Sequence, residues 1–189
     1  MRKIEAMRTA AEVASPGAVE EALLQSYLFL GFPAALTALA EWRELSGGRA
    51  LPEPEPMDLE DWRRRGEEVC RTVYGRAYDK LRASVRRVHP AMDAWMIQEG
   101  YGKVLAREGL DLKSRELCIV SILSATGWEP QLHSHLRGAL HAGCDEASVE
   151  YAVEAGLEFT DSGVWREAAR HLWSRVRERS PARSGGRES

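Results

Sequence analysis

The chain has 189 residues, of which 44% are apolar and 29% are charged, and its formal net charge at neutral pH is −3. This balance is typical of a soluble globular protein and excludes a wholly disordered chain. At roughly 150 residues per domain, the length allows one domain with an appendage. A charge so close to balance gives no electrostatic reason to bind nucleic acid or an anionic membrane, so we expect neither as a partner.

Cysteine usage and the first residues indicate the compartment. Cys70, Cys118 and Cys144 are odd in number and far apart, and they form no Cys-x-x-Cys pair. A disulfide scaffold is therefore not expected, and a cytoplasmic location is predicted. Residues 1–16 are charged and lack an apolar core, so no signal peptide is predicted there.

The first strong pattern is the apolar stretch at 22–40, whose 19 residues are long enough for a membrane span. Gly31 and Pro33 break this stretch and glutamates flank it, which favours two short buried helices over a span. Ser15 followed by Pro16 is typical of a helix start. We therefore predict helices at about 16–30 and 33–45.

Composition then divides the chain. A Gly- and Pro-rich segment at 47–57 predicts a linker between an N-terminal helical hairpin (1–46) and a second domain (58–179), followed by a disordered tail (180–189). Helical periodicity dominates and no run of alternating β-branched residues is found, so the predicted fold class is all-α with about eight helices. The helices predicted for the second domain cover 59–74, 77–88, 90–107, 112–125, 129–143, 145–155 and 162–178.

Two ionisable residues occupy positions where the helical pattern expects apolar ones. Glu116 shares a helix face with Leu112, Ile119 and other apolar residues, and burial of such a carboxylate is costly unless it is paired. His135 shares a face with small residues that allow a neighbouring helix to approach closely. A turn at Gly127 would bring the two helices together, and a histidine oriented by a carboxylate is suited to proton transfer near neutral pH.

Two other interpretations of these residues stay open. A His–Glu pair between packed helices is often a structural contact with no further role. His133, His135, His141 and Cys144 also suggest a metal site, but His133 and His135 point apart on a helix and no further pair completes a tetrahedral set. We therefore predict no metal and no other cofactor.

The segments GLDLKSREL (109–117) and WEPQLHSHLRGALHAGC (128–144) resemble the carboxymuconolactone decarboxylase family, which belongs to the alkyl hydroperoxidase-like superfamily. The resemblance extends over about residues 60–160. It implies an alkyl hydroperoxidase-like helical bundle assembled as a homo-oligomer, a trimer or hexamer, with a small-molecule substrate. Residues 19–42 also resemble the family's own C-terminal block, so the N-terminal hairpin is interpreted as a partial second copy.

The resemblance also implies roles for individual residues. In the peroxidase branch a glutamate and a histidine serve a pair of cysteines, and Glu116 and His135 occupy the positions of that glutamate and histidine. The two cysteine positions hold Trp128 and Gln131, so dithiol peroxide reduction lacks its attacking and resolving thiols.

The decarboxylase branch lacks that cysteine pair and keeps the histidine, as this chain does. The expected reaction is decarboxylation of a small anionic lactone or related acid, with His135 and Glu116 as the catalytic pair. Trp128, Gln131, His133 and Arg137 are the predicted substrate-binding residues, of which His133 and Arg137 could hold a carboxylate. The alternatives are a thiol-based antioxidant enzyme of peroxiredoxin type and a non-catalytic oligomeric scaffold in which Trp128 fills the pocket.

Overall fold

The computed structural model describes residues 2–48, 56 and 58–179, and every regular element among them is helical. This confirms the all-α fold class. The α-helices, in chain order, are α1 (Arg2–Val13), α2 (Pro16–Gln25), α3 (Tyr27–Leu45), α4 (Leu59–Tyr74), α5 (Tyr78–Val88), α6 (Pro90–Trp95), α7 (Leu112–Thr126), α8 (Glu129–Ala142), α9 (Glu146–Leu157) and α10 (Gly163–Arg179). A short 3₁₀ turn (Gly75–Ala77) precedes α5, and a π-helix (Met96–Leu105) continues α6.

Six of the predicted helices agree with the structure to within two residues at each end, and capping side chains account for the starts of three of them. Asp58, Asp111 and Asp145 each accept hydrogen bonds from backbone N–H groups at the starts of α4, α7 and α9. A short acidic side chain before a helix satisfies donors that the helix itself cannot pair, so these starts are readable from sequence.

Three features differ from the predicted helices. α1 was not predicted, because five of its twelve residues are charged and only Met7 among its described side chains is buried. The prediction of a single helix over 16–30 was wrong. The chain turns at Ser26 and again at Gly31, which has a φ of +81° and lies two residues before Pro33. The predicted helix at 90–107 changes from α to π geometry after Trp95.

One apolar core holds the second half of the chain together. α7 and α8 form a hairpin around Gly127, α9 packs against α7, and α4 packs against both α8 and the π-helix. α10 closes the bundle against α8 and α9. The most deeply buried side chains of this core include Ile119, Val120, Leu132 and Leu136.

The three N-terminal helices have a smaller apolar cluster of their own, formed by Met7, Val19 and Trp42. α2 also packs against α7, the helix that carries Glu116. None of the described helices has the length and apolar character needed to cross a bilayer. The predicted disordered tail and most of the predicted linker lie outside the described residues, and the domain boundaries stay predictions.

Candidate active site

The structure brings the two candidate catalytic side chains into contact. His135 Nδ1 on α8 lies 2.9 Å from Glu116 Oε2 on α7, which is hydrogen-bond distance. Glu116 is completely buried and His135 is 7% exposed. The hairpin around Gly127 places the two helices side by side, and so the two side chains meet as their spacing predicted.

This contact determines which histidine nitrogen is available for chemistry. An ionised carboxylate only accepts hydrogen bonds, so Nδ1–H of His135 donates to Glu116 Oε2. The second ring nitrogen, Nε2, is then left to accept or donate a proton. A carboxylate that fixes the ring and its tautomer in this way is the usual support for a general acid or base.

The second oxygen of Glu116, Oε1, does not contact His135. Oε1 is buried and finds no hydrogen-bond partner within the described part of the chain. Leaving a buried acceptor unpaired costs about 1–3 kcal/mol, and such groups are rare in native interiors. Trp42 Nε1, Trp62 Nε1 and Ser124 Oγ have the same status, so the unpaired oxygen does not by itself mark a functional group.

Gly138 on α8 leaves the space that the Glu116 carboxylate occupies. An ideal Cβ at position 138 would lie 2.9 Å from Glu116 Oε2 and 2.6 Å from Val73 Cγ1. Both distances are shorter than ordinary van der Waals contact, so any side chain here would displace the carboxylate or its neighbour. Glycine at this position thus permits the close approach of α4, α7 and α8 around Glu116.

An aromatic ring from the N-terminal helices packs against the histidine. The Phe29 ring on α3 lies edge-on to the His135 imidazole, with ring centroids 5.9 Å apart and an interplanar angle of 86°. Apolar neighbours lower the local dielectric and strengthen the interaction of the imidazole with the Glu116 carboxylate. The sequence offered no sign of this contact, because it joins residues that are more than one hundred positions apart.

Arg115, next to Glu116, anchors the N-terminal helices through a second buried network. Its guanidinium donates to Glu21 Oε2 at 2.8 Å and to Gln25 Oε1 at 3.4 Å, both on α2, and to nearby backbone carbonyl oxygens. Burial alone would raise the pKa of Glu21, but hydrogen bonds from Arg107 and Arg115 outweigh it and hold that pKa below its usual range. This network fixes α2 against the start of α7.

The four predicted substrate-binding residues separate into two groups. His133 and Arg137 line a cavity of about 290 Å³ between α8, α5 and the end of α4. Trp128 and Gln131 lie at the start of α8, where both are exposed, and Trp128 is 58% exposed. Trp128 therefore does not fill an interior pocket within the described residues, and the scaffold alternative, which did not depend on that, stays a prediction.

Lys80 on α5 lines the same cavity, and sequence reasoning missed it. It is distant from α8 in the chain, and only the folded structure shows that it lines the same cavity as Arg137. Within the described ranges, no three His, Cys, Asp or Glu side chains converge as metal ligands would.

The three free thiols are held in their unreactive protonated form. Burial raises the pKa of Cys70 to about 12 and that of Cys144 to about 11, and burial also raises the pKa of Cys118. The thiolate is the nucleophile in peroxide reduction, and none of these side chains supplies it readily near neutral pH.

Comparison with known proteins gives the family. The sequence pattern of the carboxymuconolactone decarboxylase family matches residues 90–173, a span that includes Glu116 and His135. An uncharacterized 15.0 kDa protein in the nqo9-nqo10 intergenic region of Paracoccus denitrificans is 34% identical over 90 residues, 47% of this chain and 67% of that protein. Peroxisomal protein 2 of Schizosaccharomyces pombe is 27% identical over 150 residues, 75% of this chain and 68% of that protein. The chain belongs to the carboxymuconolactone decarboxylase family and has its all-α, alkyl hydroperoxidase-like fold.

Proposed function

We propose that the protein decarboxylates a small anionic lactone or a related acid, with proton transfer through His135 and Glu116. The observation that carries the proposal is the buried Glu116–His135 pair, whose Nδ1–Oε2 distance is 2.9 Å and whose second carboxylate oxygen is unpaired. The pair lies inside the span that matches the family. The raised pKa values of the three thiols argue against the antioxidant alternative.

The proposed reaction has two steps. The bond between a ring carbon and its carboxylate breaks, CO₂ leaves, and the electron pair of that bond remains on the lactone as a dienolate. His135, protonated at Nε2, then gives that proton to carbon and returns to the neutral imidazole, while Glu116 holds Nδ1–H. A proton from solvent restores the imidazolium for the next turnover.

Further parts of the proposal concern the substrate contacts and the working state of the protein. His133 and Arg137 would contact a substrate carboxylate, with Trp128 and Gln131 at the outer end of α8. The working form would be a cytoplasmic homo-oligomer, a trimer or hexamer, as the family resemblance implies. The free state of the three cysteines supports a reducing compartment.

Turnover of carboxymuconolactone by the purified full-length protein, followed by loss of substrate and release of CO₂, tests the proposal. His135→Asn should lower the rate by about 10²–10⁴-fold, since it removes the proposed acid. His171→Asn, at an exposed position on α10, is the matched control and should keep the full rate. The proposal is wrong if no lactone is consumed and His135→Asn leaves ligand binding unchanged, and peroxide consumption with a dithiol donor would favour the antioxidant alternative.

A further inference from the structure

The cavity of about 290 Å³ beside α8 has a distinctive lining, and we refer to it as the cationic cavity. It lies between the C-terminal end of α4, one face of α5 and the α8 positions 133, 134, 137 and 141. The polar side chains that line it are Tyr74, Lys80, Ser84, His133, Ser134, Arg137 and His141, and no acidic residue is among them.

Two side chains in the lining of the cationic cavity, those of Lys80 and Arg137, carry a positive charge at neutral pH. Lys80 and Arg137 are both exposed, and within residues 2–48, 56 and 58–179 neither forms a salt bridge. Arg63 and Arg64 on α4 each bind two acidic neighbours. Arg76 and Arg87 form no salt bridge within the described residues either, but they lie outside the cavity lining. Two unpaired cations facing one concave space leave a positive potential that an anion would neutralise.

Arginines near His133 add to the positive potential of the cationic cavity. Burial lowers the pKa of His133, and the positive charges of Arg137, Arg175 and Arg179 lower it further, while Glu129 opposes them. Several cationic side chains of α8 and α10 therefore act together at this position. Neutral His133 remains able to donate one ring N–H to a bound anion.

Neutral donors complete the lining. Tyr74 is held protonated, because burial raises its pKa to about 12, so its hydroxyl remains a donor. The ring of His141 is fixed by the hydrogen bond that its Nδ1–H donates to the Val73 carbonyl oxygen at 2.8 Å. Cations, hydroxyl groups and ordered rings around one small space are what recognition of a small oxyanion requires.

We infer that the cationic cavity binds a small oxyanion, either a carboxylate or a phosphate group, with Lys80 and Arg137 as its two charged contacts. Arg137 can present two parallel N–H groups to a pair of oxygens, whereas Lys80 acts as a point charge. The inference rests on the proposed function in one respect, because His133 and Arg137 are also the proposed contacts of the substrate carboxylate. Neither His135 nor Glu116 is among the residues that line the cavity.

Calorimetric titration of the full-length protein with inorganic phosphate and, separately, with succinate tests this inference at low ionic strength. We expect at least one of the two to bind with a Kd of about 1 mM or tighter. Lys80→Ala and Arg137→Ala should each weaken that binding about tenfold or more, because each removes a charge-assisted contact. Arg87→Ala, which removes an exposed cation of α5 outside the cavity lining, should leave the affinity unchanged.

The two ligands distinguish the source of the oxyanion. Binding of phosphate alone indicates a phosphorylated ligand, binding of succinate alone indicates a carboxylate, and binding of both indicates a general oxyanion site. The inference is overturned if neither ligand binds, or if Lys80→Ala and Arg137→Ala bind as tightly as the wild type. Since both side chains are exposed, the variants should keep the wild-type thermal midpoint. Binding is measured without turnover, so oxyanion binding without lactone turnover would count against the proposed reaction alone, whereas turnover without oxyanion binding would count against this inference alone.

Discussion

Arg115 and Glu116 are consecutive residues on α7 and both are completely buried, yet their charged groups have different kinds of hydrogen-bond partner. Each guanidinium nitrogen of Arg115 has an acceptor, including Glu21 and Gln25 on α2. Glu116 has His135 on one oxygen and nothing in the described residues on the other. Burial of a charge therefore does not by itself mark a functional group. Arg115 binds a set of acceptors on α2 and the backbone, whereas Glu116 is paired with an imidazole ring that can exchange a proton.

Charged side chains at the surface of the bundle also differ in their partners, since some form ion pairs and others do not. The arginines of α4 form ion pairs along their own helix, as a solvated charged face commonly does. Lys80 and Arg137, in contrast, face a common cavity without an acidic partner among the described residues. Lys80 and Arg137 differ from other exposed cations without a salt bridge in the described residues, such as Arg87, because they line a cavity.

Removal of Arg115 should produce the largest loss of stability. Arg115→Met deprives Glu21, Gln25 and several carbonyl oxygens of their donor, and breaking a buried charge pair from one side costs about 3–5 kcal/mol. Urea unfolding followed by circular dichroism measures the change in the free energy of unfolding. Arg64→Met is the matched control, because its ion pairs are exposed and should contribute little. Equal losses in the two variants would contradict the contrast between the buried network and the surface.

The pH dependence of the unfolding free energy should reveal the stabilisation of Glu21 by Arg107 and Arg115. Because the pKa of Glu21 is lowered in the folded state, its stabilisation is fully present above the unfolded-state value of about 4.3 and is lost as the pH falls through the folded value. The unfolding free energy of the wild type minus that of Glu21→Gln should therefore shrink as the pH falls below about 4. A difference that stays constant, or grows in acid, would show that Arg115 and Arg107 do not stabilise an ionised Glu21.

A smaller effect is expected when the space around Glu116 is filled. Gly138→Ala improves helix propensity by up to about 1 kcal/mol, but overpacking costs about 1–3 kcal/mol, so a net loss of about 1 kcal/mol is expected. The added methyl should also push Glu116 Oε2 away from His135 and reduce lactone turnover.

Gly100→Ala provides the control for this substitution. Gly100 has nothing within 4 Å of an added Cβ, so this variant should retain both stability and turnover. Identical behaviour of the two variants would show that the Glu116 carboxylate has room to move, and that Gly138 does not determine its position.

Local signals account for the parts of the fold that the sequence predicted. Asp111 and Gly127 bound α7, and the position of Glu116 on an apolar face together with the turn at Gly127 predicted its contact with His135. These are features of neighbouring residues, which sequence patterns record. The helix α1 was missed because its pattern of charges hides one small buried face.

The parts that could not be predicted depend on contacts between distant segments. Nothing local distinguishes Arg115 from a surface arginine, and only the docking of α2 shows that it is buried against Glu21. In the same way, Lys80 joins Arg137 and Phe29 joins His135 only because helices far apart in the sequence pack side by side. Helix propensity and capping contain no information about such pairs.

Glu116→Gln, assayed in parallel for unfolding free energy and for decarboxylation of carboxymuconolactone, tests the central claim most directly. Glutamine keeps the shape of the side chain but cannot stabilise an imidazolium as a carboxylate does. We predict a smaller loss of unfolding free energy than for Arg115→Met, because the glutamine oxygen can still accept the hydrogen bond from His135 Nδ1–H, and a loss of turnover of about 10²-fold or more. Full turnover in a variant destabilised as strongly as Arg115→Met would contradict the account and make Glu116 a structural residue.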